Sequence, residues 1–323
     1  MKISIITPSY NQALYLEQTI DSILSQGYSE LEYIIIDGGS HDGSVEIIKK
    51  YEKHLNYWVS EPDLGQSHAI NKGLMHASGD VIQWINSDDW LEPLALQYIS
   101  EAFKDPSKNV VCGRSRLVYE NGVTRISPGT DIYPENLART LGQARIDQPE
   151  TWFRGEVFRK LTPVKQDLHY VMDKQLWMNY LLHYGLERVC QIDDLLVNFR
   201  IHSQSKTGSQ TQGFVAETIQ LYQSLFKGSS LDPLSEKISQ ITGIETNKQY
   251  FDTTPEQHDL VQSSASYLLL QLADEYYCVF DYQKARNLID LVDVGRLDKI
   301  ETQRFNKLSK RIDWRANIFR KWM

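Results

Sequence analysis

Residues 80–90 read DVIQWINSDDW and give the clearest indication of fold in the chain. Residues 81–85 are short, mostly apolar and β-branched, which is typical of a strand buried in a parallel sheet. Asp88 and Asp89 follow where this strand ends, and ligands of open α/β sheets bind beyond the carboxyl ends of strands. Adjacent carboxylates repel each other, and a divalent cation would relieve that repulsion. The alternative is that Asp88 or Asp89 caps a helix beginning near Glu92 and Pro93.

The chain before this strand alternates between strand-like and helix-like segments. Apolar β-branched runs predict strands at 3–7, 31–36 and 57–60. Apolar residues near helical spacing, such as Leu16, Ile20 and Ile23, predict helices at 13–26, 45–51 and 67–77. This alternation predicts an α/β fold with a mostly parallel central sheet flanked by helices.

A second acid follows a predicted strand at Asp37. It begins a glycine-rich turn over residues 37–44, DGGSHDGS, and glycines let a ligand approach the backbone closely. No Gly-x-Gly-x-x-Gly follows the first strand and the chain has no P-loop motif, so a dinucleotide site and a P-loop are disfavoured. Asp37 is therefore expected at the same edge of the sheet as Asp88 and Asp89. Taken alone, Asp37 and Gly38 also fit a plain turn.

The remainder predicts a mixed second half and then a helical region. Residues 109–122 read as a hairpin, 129–148 as an irregular polar loop over a site, 173–184 as a helix and 195–201 as a last strand. Residues 203–213, rich in Ser, Thr, Gln and Gly, predict a linker. We expect one domain over residues 1–210 and a mainly helical C-terminal region over residues 211–323.

Composition limits the class of protein. The 323 residues are 41% hydrophobic and 24% charged, with a net charge of -8, which is ordinary for a soluble globular protein and unfavourable for nucleic-acid binding. Cys112, Cys190 and Cys278 are far apart and odd in number, so they predict neither a disulfide framework nor a metal site. No apolar run is long enough for a signal peptide or a membrane span. We expect a cytoplasmic protein.

Three blocks of sequence resemble one family. Residues 3–11 (ISIITPSYN), 34–44 (IIIDGGSHDGS) and 69–89 (AINKG through NSDD) are similar in order and spacing to bacterial, non-processive family 2 glycosyltransferases of the GT-A fold. The resemblance covers residues 1–120 well and extends more weakly to about residue 205. It implies inverting, metal-assisted transfer of a single sugar from a nucleotide-diphospho-sugar, with a UDP-sugar favoured. The acceptor would be a hydroxyl in polysaccharide or glycan assembly.

The resemblance also implies which residues bind the donor. The base and ribose would lie against the loop from Thr7 to Tyr10, and Asp37 would accept a hydrogen bond from a ring N–H of the base. Asp88 would bind the ribose or a metal-bound water. The implied donor-binding residues are Thr7, Pro8, Tyr10, Asp37, Asn71 and Asp88.

Metal and catalytic roles follow from the same resemblance. Asp89 and His202 would bind Mg²⁺ or Mn²⁺, because a hard cation stabilises a leaving diphosphate. Asp173 would be the base that an acceptor hydroxyl needs, with Asp147 and Glu150 as the next candidates. Asp173 also heads a predicted helix, so a capping role is its alternative. A lone histidine such as His202 is often filler.

The chain departs from the family pattern at both acidic motifs. The family often has Asp-Asp where this chain has Asp37-Gly38, and Asp-x-Asp-Asp where it has NSDD at residues 86–89. Each departure removes an acid, which predicts a lower metal affinity. The Gln-x-x-Arg-Trp signature of processive synthases is not present, so one sugar per encounter is expected.

The C-terminal region suggests interaction surfaces. Residues 266–289 are similar to one tetratricopeptide-type hairpin, but a solenoid needs about three repeats, so packing on the first domain or in a homo-oligomer is the alternative. The segment 304–323 is basic with interleaved aromatics, a pattern found in helices that lie on anionic membranes. We expect peripheral contact with the inner face of the membrane and a glycan or lipid-linked acceptor, with a solvated tail as the alternative.

Two other functions compete with sugar transfer. A non-catalytic nucleotide-sugar-binding or scaffolding subunit would use the helical C-terminal region as its working surface. A nucleotidyltransferase of similar fold is disfavoured, because residues 8–12 contain no glycine-rich basic motif.

Overall fold

Strands and helices alternate in the N-terminal part of the chain, as the sequence predicts. The computed structural model describes residues 1–203 and 205–320. The first elements are β1 (Ile3–Ser9), α1 (Ala13–Leu24), β2 (Leu31–Asp37), α2 (Ser44–Tyr51), β3 (Tyr57–Ser60), α3 (Gln66–Leu74) and β4 (Val81–Trp84). The predicted ends differ from these by a few residues at most, where helices and strands fray.

The hydrophobic pattern explains these elements. In α1, the buried residues Leu16, Thr19, Ile20 and Ile23 recur at the spacing that places them on one helix face. Every residue of β1 is buried, as expected for a central strand of a covered sheet.

The second half of this region is mixed. Its elements are β5 (Trp90–Leu91), α4 (Ala95–Ala102), β6 (Val110–Tyr119), β7 (Thr124–Ile126), α5 (Leu137–Gln143), β8 (Thr151–Arg154), α6 (Gly155–Leu161), α7 (Met172–Tyr184), β9 (Val189–Ile201) and α8 (Lys206–Ser209). The predicted hairpin is confirmed by the antiparallel pairing of β6 with β7. Two predictions were wrong: residues 129–148 contain a helix, and the last strand begins six residues before Leu195.

The strands form a mixed sheet, and its parallel part holds the sequence motifs. The strand order is β3-β2-β1-β4-β8-β6-β9-β5, with β7 paired to β6. Pairing is parallel from β3 to β4 and antiparallel at β8. In the parallel register, Ser9 of β1 and Ser60 of β3 lie on either side of Asp37 of β2. The carboxyl ends of β1, β2 and β3 therefore present a row of polar side chains.

The contacts divide the chain into two compact units. The first comprises Met1–Thr130, Ile146–Tyr180 and Leu186–Gly213, and the second comprises Asp131–Arg145, Leu181–Gly185 and Phe214–Met323. The sheet belongs to the first unit. The predicted domain boundary at residue 210 stays a prediction.

The second unit is helical. Besides α5 it contains most of α9 (Thr211–Gly228), and α10 (Asp232–Thr242), α11 (His258–Cys278), α12 (Tyr282–Ile289) and α13 (Lys299–Arg320). Single 3₁₀ turns lie at Glu52–His54, Gln148–Glu150, Pro255–Gln257 and Val294–Arg296.

Helix α5 is held inside this unit by contacts from distant residues. The Asn136 side chain accepts a hydrogen bond from Arg139 N–H and caps the helix. Arg139 pairs with Asp298 and Glu301, and the Tyr222 hydroxyl donates to the carbonyls of Leu141 and Gly142. These contacts explain why a polar, loop-like sequence forms a helix.

None of the helices in the described residues is long and apolar enough to cross a membrane.

Candidate active site

The loop after β4 holds its two aspartates in different environments. Asp89 is fully buried, and its Oδ1 accepts the backbone N–H of Arg200 at 3.0 Å. Its Oδ2 lies 3.4 Å from the Asn86 amide nitrogen. From α1, the Thr19 hydroxyl lies within hydrogen-bonding distance of the carbonyls of Ser87 and Asp89, at 3.0 and 2.6 Å. The loop is therefore anchored from two sides, and Asp89 faces inward.

Asp88 is partly exposed and contacts a histidine that directly follows the last strand. Its Oδ2 lies 3.1 Å from Nε2 of His202, and its side chain keeps 19% of its surface exposed. The His202 ring is buried and lies 5.0 Å from the Tyr15 ring. Asp88 is thus the acid of this loop that a ligand can reach.

Arg200 is the residue that sequence reasoning missed. Its guanidinium lies 4.5 Å from the ring centroids of both Tyr15 and Trp90. The same group donates to the Asp88 carbonyl at 3.0 Å and to the Gln18 side chain at 2.7 Å. Arg200 and His202 are two apart along β9 and its continuation, so strand periodicity could have paired them. Arg200 fixes the acidic loop while His202 contacts its exposed acid.

Burial and charge repulsion act together on Asp89. Removal from water raises its pKa well above the ordinary value, and the neighbouring Asp88 charge raises it further. The hydrogen bond from Arg200 N–H acts in the opposite direction. The Asp89 carboxyl group is therefore harder to ionise than that of an ordinary aspartate unless a further positive charge lies nearby.

The glycine-rich turn after β2 encloses Asp37. Its Oδ2 accepts hydrogen bonds from the N–H groups of Gly39 and Ser40 and from the Ser60 hydroxyl, at 3.1, 2.9 and 2.7 Å. Its Oδ1 accepts the Ser40 hydroxyl at 2.6 Å, and the residue is fully buried. Asp37 thus organises the turn and makes no contact with solvent.

The loop after β1 contains three of the predicted donor-binding residues. Thr7 is buried, with its hydroxyl 3.1 Å from that of Tyr33, and Pro8 is buried too. Tyr10 is 58% exposed and is the member of this loop that a ligand can contact. Asn11 and Ser40 connect this loop to the glycine-rich turn, since Asn11 N–H donates to the Ser40 hydroxyl at 2.7 Å.

The side chain of Asn71 is hydrogen-bonded to the backbone of another loop. Its amide oxygen accepts Val164 N–H and its amide nitrogen donates to the Val164 carbonyl, both at 2.8 Å. Both halves of the amide are therefore engaged with backbone. Its donor-binding role stays a prediction that these contacts do not favour.

Asp173 lies in the first turn of α7. It is half-buried, and burial raises its pKa to about 6 although the Lys174 backbone N–H, at 2.7 Å, and the charges of Lys174 and Lys206 lower it. Lys206 in turn donates to Gln66, and Gln66 donates to Asn86 beside the acidic loop. This chain of hydrogen bonds connects the neighbourhood of Asp173 to the loop after β4.

Comparison with known proteins concerns the family and the fold of the chain. Residues 4–161 match the family model of glycosyl transferase family 2. This part of the chain belongs to glycosyl transferase family 2. An uncharacterised glycosyltransferase of Nostoc sp. is 27% identical over 217 residues, 62% of this chain and 65% of that protein. The putative glycosyltransferase EpsH of Bacillus subtilis is 26% identical over 215 residues, 63% of this chain and 62% of that protein. The matches thus span less than two thirds of these relatives.

Solved structures show that the chain has the GT-A fold. S. aureus TarS, crystallised with UDP-GlcNAc, superimposes with a TM-score of 0.58 at 15% identity, covering 98% of this chain and 92% of that one. The mannosyltransferase PcManGT of Pyrobaculum calidifontis, crystallised with GDP-Man and Mn²⁺, gives 0.52 at 18% identity, covering 90% and 74%. At such identities the likeness concerns the fold alone.

The side chains that could ligate a metal at this site fit a hard cation only in part. Within the described residues there is no cluster of three or more His, Cys, Asp or Glu side chains that could hold a metal. Asp88 Oδ2 and His202 Nε2 are nevertheless 3.1 Å apart, close to the roughly 3 Å between neighbouring ligand atoms of an octahedral Mg²⁺ or Mn²⁺ with bonds near 2.1 Å. Mg²⁺ is commonly held by one or two carboxylates plus phosphates and water. Asp88 would supply one such carboxylate, and His202 would be an additional ligand.

Proposed function

We propose that the protein transfers a single sugar from a nucleotide-diphospho-sugar, a UDP-sugar being favoured, to an acceptor hydroxyl in polysaccharide or glycan assembly. The transfer is metal-assisted and inverts the anomeric centre. The proposal rests on the contact between Asp88 and His202 at the carboxyl edge of the sheet. The strand that precedes Asp88 lies within the residues that match the family 2 model. UDP-GlcNAc in TarS and GDP-Man with Mn²⁺ in PcManGT support a donor and a cation of this class.

The metal assignment shifts from Asp89 to Asp88. Asp89 has no exposed surface and its Oδ1 is held by Arg200 N–H, so the loop would have to open before Asp89 reached a ligand. Asp88 needs no such change, and His202, although buried, contacts the Asp88 carboxylate directly, so these two are the proposed metal ligands. The cation they hold supplies positive charge to the leaving diphosphate. Asp89 and Arg200 then act as supports that fix the direction of Asp88.

Asp173 is the proposed base. A carboxylate of ordinary pKa is a weak base at neutral pH, and a pKa of about 6 brings Asp173 closer to the operating pH. The acceptor O–H bond breaks as its oxygen attacks the anomeric carbon, and the proton moves to an Asp173 carboxylate oxygen. The bond to the diphosphate oxygen breaks in the same displacement, which inverts the centre. Glu150 is fully buried and Asp147 accepts the Ser127 hydroxyl, so neither is as well suited.

Release of UDP from a panel of UDP-sugars with Mn²⁺, with and without chelator, tests the function. We expect Asp88→Asn and His202→Ala to lose metal-dependent release. Asp193→Asn serves as the matched control, because Asp193 is an exposed acid paired with Arg114. Binding of nucleotide-sugars without any turnover would instead favour the scaffolding function, and failure of every nucleotide to bind would refute both.

Peripheral membrane contact through α13 is the proposed route to a lipid-linked acceptor. Lys307, Lys310, Arg311 and Trp314 are exposed and spaced so that they form one stripe along the helix. We call these four residues the basic stripe. Arg304 differs from them, since it pairs with Asp274 and Glu301. Lys321 and Trp322, which the sequence pattern also included, lie outside the described residues, and self-association through the C-terminal helices stays a prediction.

A further inference from the structure

The turn between α11 and α12 exposes three consecutive side chains of types that are usually buried. Helix α11 ends at Cys278 and α12 begins at Tyr282. Cys278 is exposed, and Val279 and Phe280 are 68% and 75% exposed. We call these three residues the apolar tip. A run of exposed apolar residues lowers solubility, so it calls for a function.

The backbone at Phe280 makes the choice of this residue harder to explain by folding alone. Its φ of +65° lies in the left-handed region, where a residue with a Cβ atom is strained. The Phe280 N–H donates to the Tyr277 carbonyl at 3.1 Å. The next N–H, of Asp281, donates to the Tyr276 carbonyl at 3.0 Å. These bonds form a Schellman motif, whose left-handed position is usually a glycine. The chain therefore holds a strained phenylalanine in solvent where glycine would fit without strain.

Half-buried tyrosines adjoin the apolar tip. The Tyr282 ring lies 6.3 Å from that of Phe280 and 5.4 Å from that of Tyr277. Tyrosine joins an apolar ring to a polar hydroxyl, a combination that is enriched where a membrane meets water. The turn thus presents apolar side chains first and amphipathic side chains behind them.

The basic stripe of α13 lies at the same end of the helical unit as the apolar tip. At the start of α13, Asp298 N–H donates to the Tyr267 hydroxyl at 2.9 Å. Six residues later, Arg304 donates to Asp274 at 2.6 Å. Helices α11 and α13 therefore run in the same direction. Since α11 ends at the tip and the stripe follows Arg304 on α13, both lie toward that end.

The charge of these segments is opposite to that of the whole chain. Residues 274–290 and 304–315 contain seven Lys and Arg against five Asp and Glu, in a protein whose net charge is -8. Acids near the tip are also paired with cations other than those of the stripe, namely Asp274 with Arg304, Asp281 with Lys284 and Asp313 with Arg286. This end is therefore complementary to an anionic surface.

The size of the apolar tip favours a membrane over a protein partner. A stable protein interface takes about 20–30 residues from each side, whereas the tip consists of three. Insertion into the headgroup boundary of a membrane needs only a small apolar surface with cations beside it. The apolar tip and the basic stripe meet that description.

We propose that the apolar tip inserts into the headgroup boundary of an anionic membrane, with the basic stripe on the membrane surface. The proposal rests on the membrane contact of α13 under the proposed function and adds an apolar anchor to it. Salt screens the attraction of the stripe but does not weaken the burial of the tip. The two anchors can therefore be measured separately.

Phe280→Gly tests the proposal, because it removes the ring and relieves the strain at its left-handed φ. Sedimentation measures binding to vesicles of equal parts phosphatidylglycerol and phosphatidylcholine. We expect binding to weaken about 10-fold, which is the lower end of the gain from burying a phenylalanine side chain. The urea concentration of half-unfolding should stay equal or rise. It would fall if the ring only stabilised the turn.

Two further variants separate the apolar anchor from other effects. Phe280→Asn should reproduce the loss of binding, because asparagine also tolerates the left-handed position. Ile300→Ser is the matched control and should keep full binding, since Ile300 is 66% exposed but lies at the start of α13, away from the tip. The loss in Phe280→Gly should be the same at low and high salt. Replacing the three stripe cations by Gln should matter at low salt only.

The outcomes distinguish this proposal from the function on which it rests. If the unaltered protein does not sediment with the vesicles, both membrane proposals fail, while UDP release still decides on sugar transfer. If it sediments and Phe280→Gly sediments equally well, only the apolar anchor is overturned. A change of oligomeric state in Phe280→Gly without any change in vesicle binding would identify the tip as a contact between copies and would also overturn it. Loss of binding with retained stability, and full binding in Ile300→Ser, supports the proposal.

Discussion

The ends of β2 and β4 each hold a buried aspartate, and the two are enclosed differently. Asp37 is enclosed by donors from its own turn and from the adjacent strand. Asp89 is enclosed by Arg200, which lies far along the chain on β9. The residue next to Asp37 is Gly38, whereas the residue next to Asp89 is the partly exposed Asp88. We call Asp37 and Asp89 the enclosed acids, and Asp88 and Asp173 the accessible acids.

This difference indicates how one sheet edge separates structural from chemical roles. An enclosed acid accepts hydrogen bonds from the protein itself and fixes a loop. Its replacement should therefore lower the free energy of unfolding. An accessible acid keeps capacity for a ligand at some cost in repulsion or burial. Variants of the two classes should therefore fail in different assays.

The largest expected effect is on Asp173. Asp173→Asn is nearly isosteric but cannot take the acceptor proton, so transfer should fall by about 10²- to 10⁴-fold. Sugar transfer and UDP affinity are measured on the same preparation, and UDP affinity should be unchanged. Full transfer activity in this variant would remove Asp173 from catalysis and direct attention to Asp147 or Glu150.

Variants of Asp88 and Asp89, the two aspartates after β4, should differ most clearly in stability and in ligand binding. Asp89→Ala leaves Arg200 N–H buried without an acceptor and should cost about 1–3 kcal/mol in the free energy of unfolding, whereas Asp89→Asn keeps an oxygen there and should cost less. Asp88→Ala should unfold at nearly the same urea concentration as the unaltered protein but lose the thermal stabilisation by UDP with Mn²⁺. The earlier expectation that Asp89 binds the metal would be restored if Asp88→Ala kept that stabilisation.

The accessible acid Asp173 should also destabilise the fold when it is charged. Its pKa is about 6 in the folded protein against 3.8 for an ordinary aspartate, so the folded state holds the proton more tightly. The fold is then favoured below pH 4 and loses that contribution as the pH rises through 6. Asp173→Asn should therefore be more stable by an amount on the order of 2 kcal/mol at pH 7 to 8 and no more stable near pH 3.5. Urea unfolding at the two pH values measures this, and equal differences at both would contradict it.

The smallest expected effect concerns the cations of the helical unit. Some of these side chains are paired with carboxylates and others are not. Arg286 is engaged with Asp290 and Asp313, while the described structure gives the cations of the basic stripe no carboxylate partner. Replacing Lys307, Lys310 and Arg311 by Gln should weaken sedimentation with anionic vesicles by roughly 1 kcal/mol per charge at low salt, because each cation gains attraction near such a surface. Arg286→Gln is the control and should leave sedimentation unchanged. If the unaltered chain never sediments with anionic vesicles, membrane contact should be abandoned.

Much of the fold follows from local sequence. The alternation of apolar runs, the helical spacing of Leu16, Ile20 and Ile23, and the glycines of the turn at 37–44 each act over a few residues, so they can be read without a structure. The same holds for the position of the acids, since strand ends in a parallel sheet share one edge.

What each acid does was decided only by the tertiary structure. Asp88 and Asp89 are adjacent and chemically identical, and Arg200 and Thr19, distant in sequence, determine which one is buried. Ser60 reaches Asp37 because β3 pairs with β2, and Asn71 is occupied because it meets Val164. Helix α5 likewise depends on partners more than 80 residues away, such as Tyr222. Burial and hydrogen-bond saturation are properties of the assembled neighbourhood, and a motif specifies only the groups that enter it.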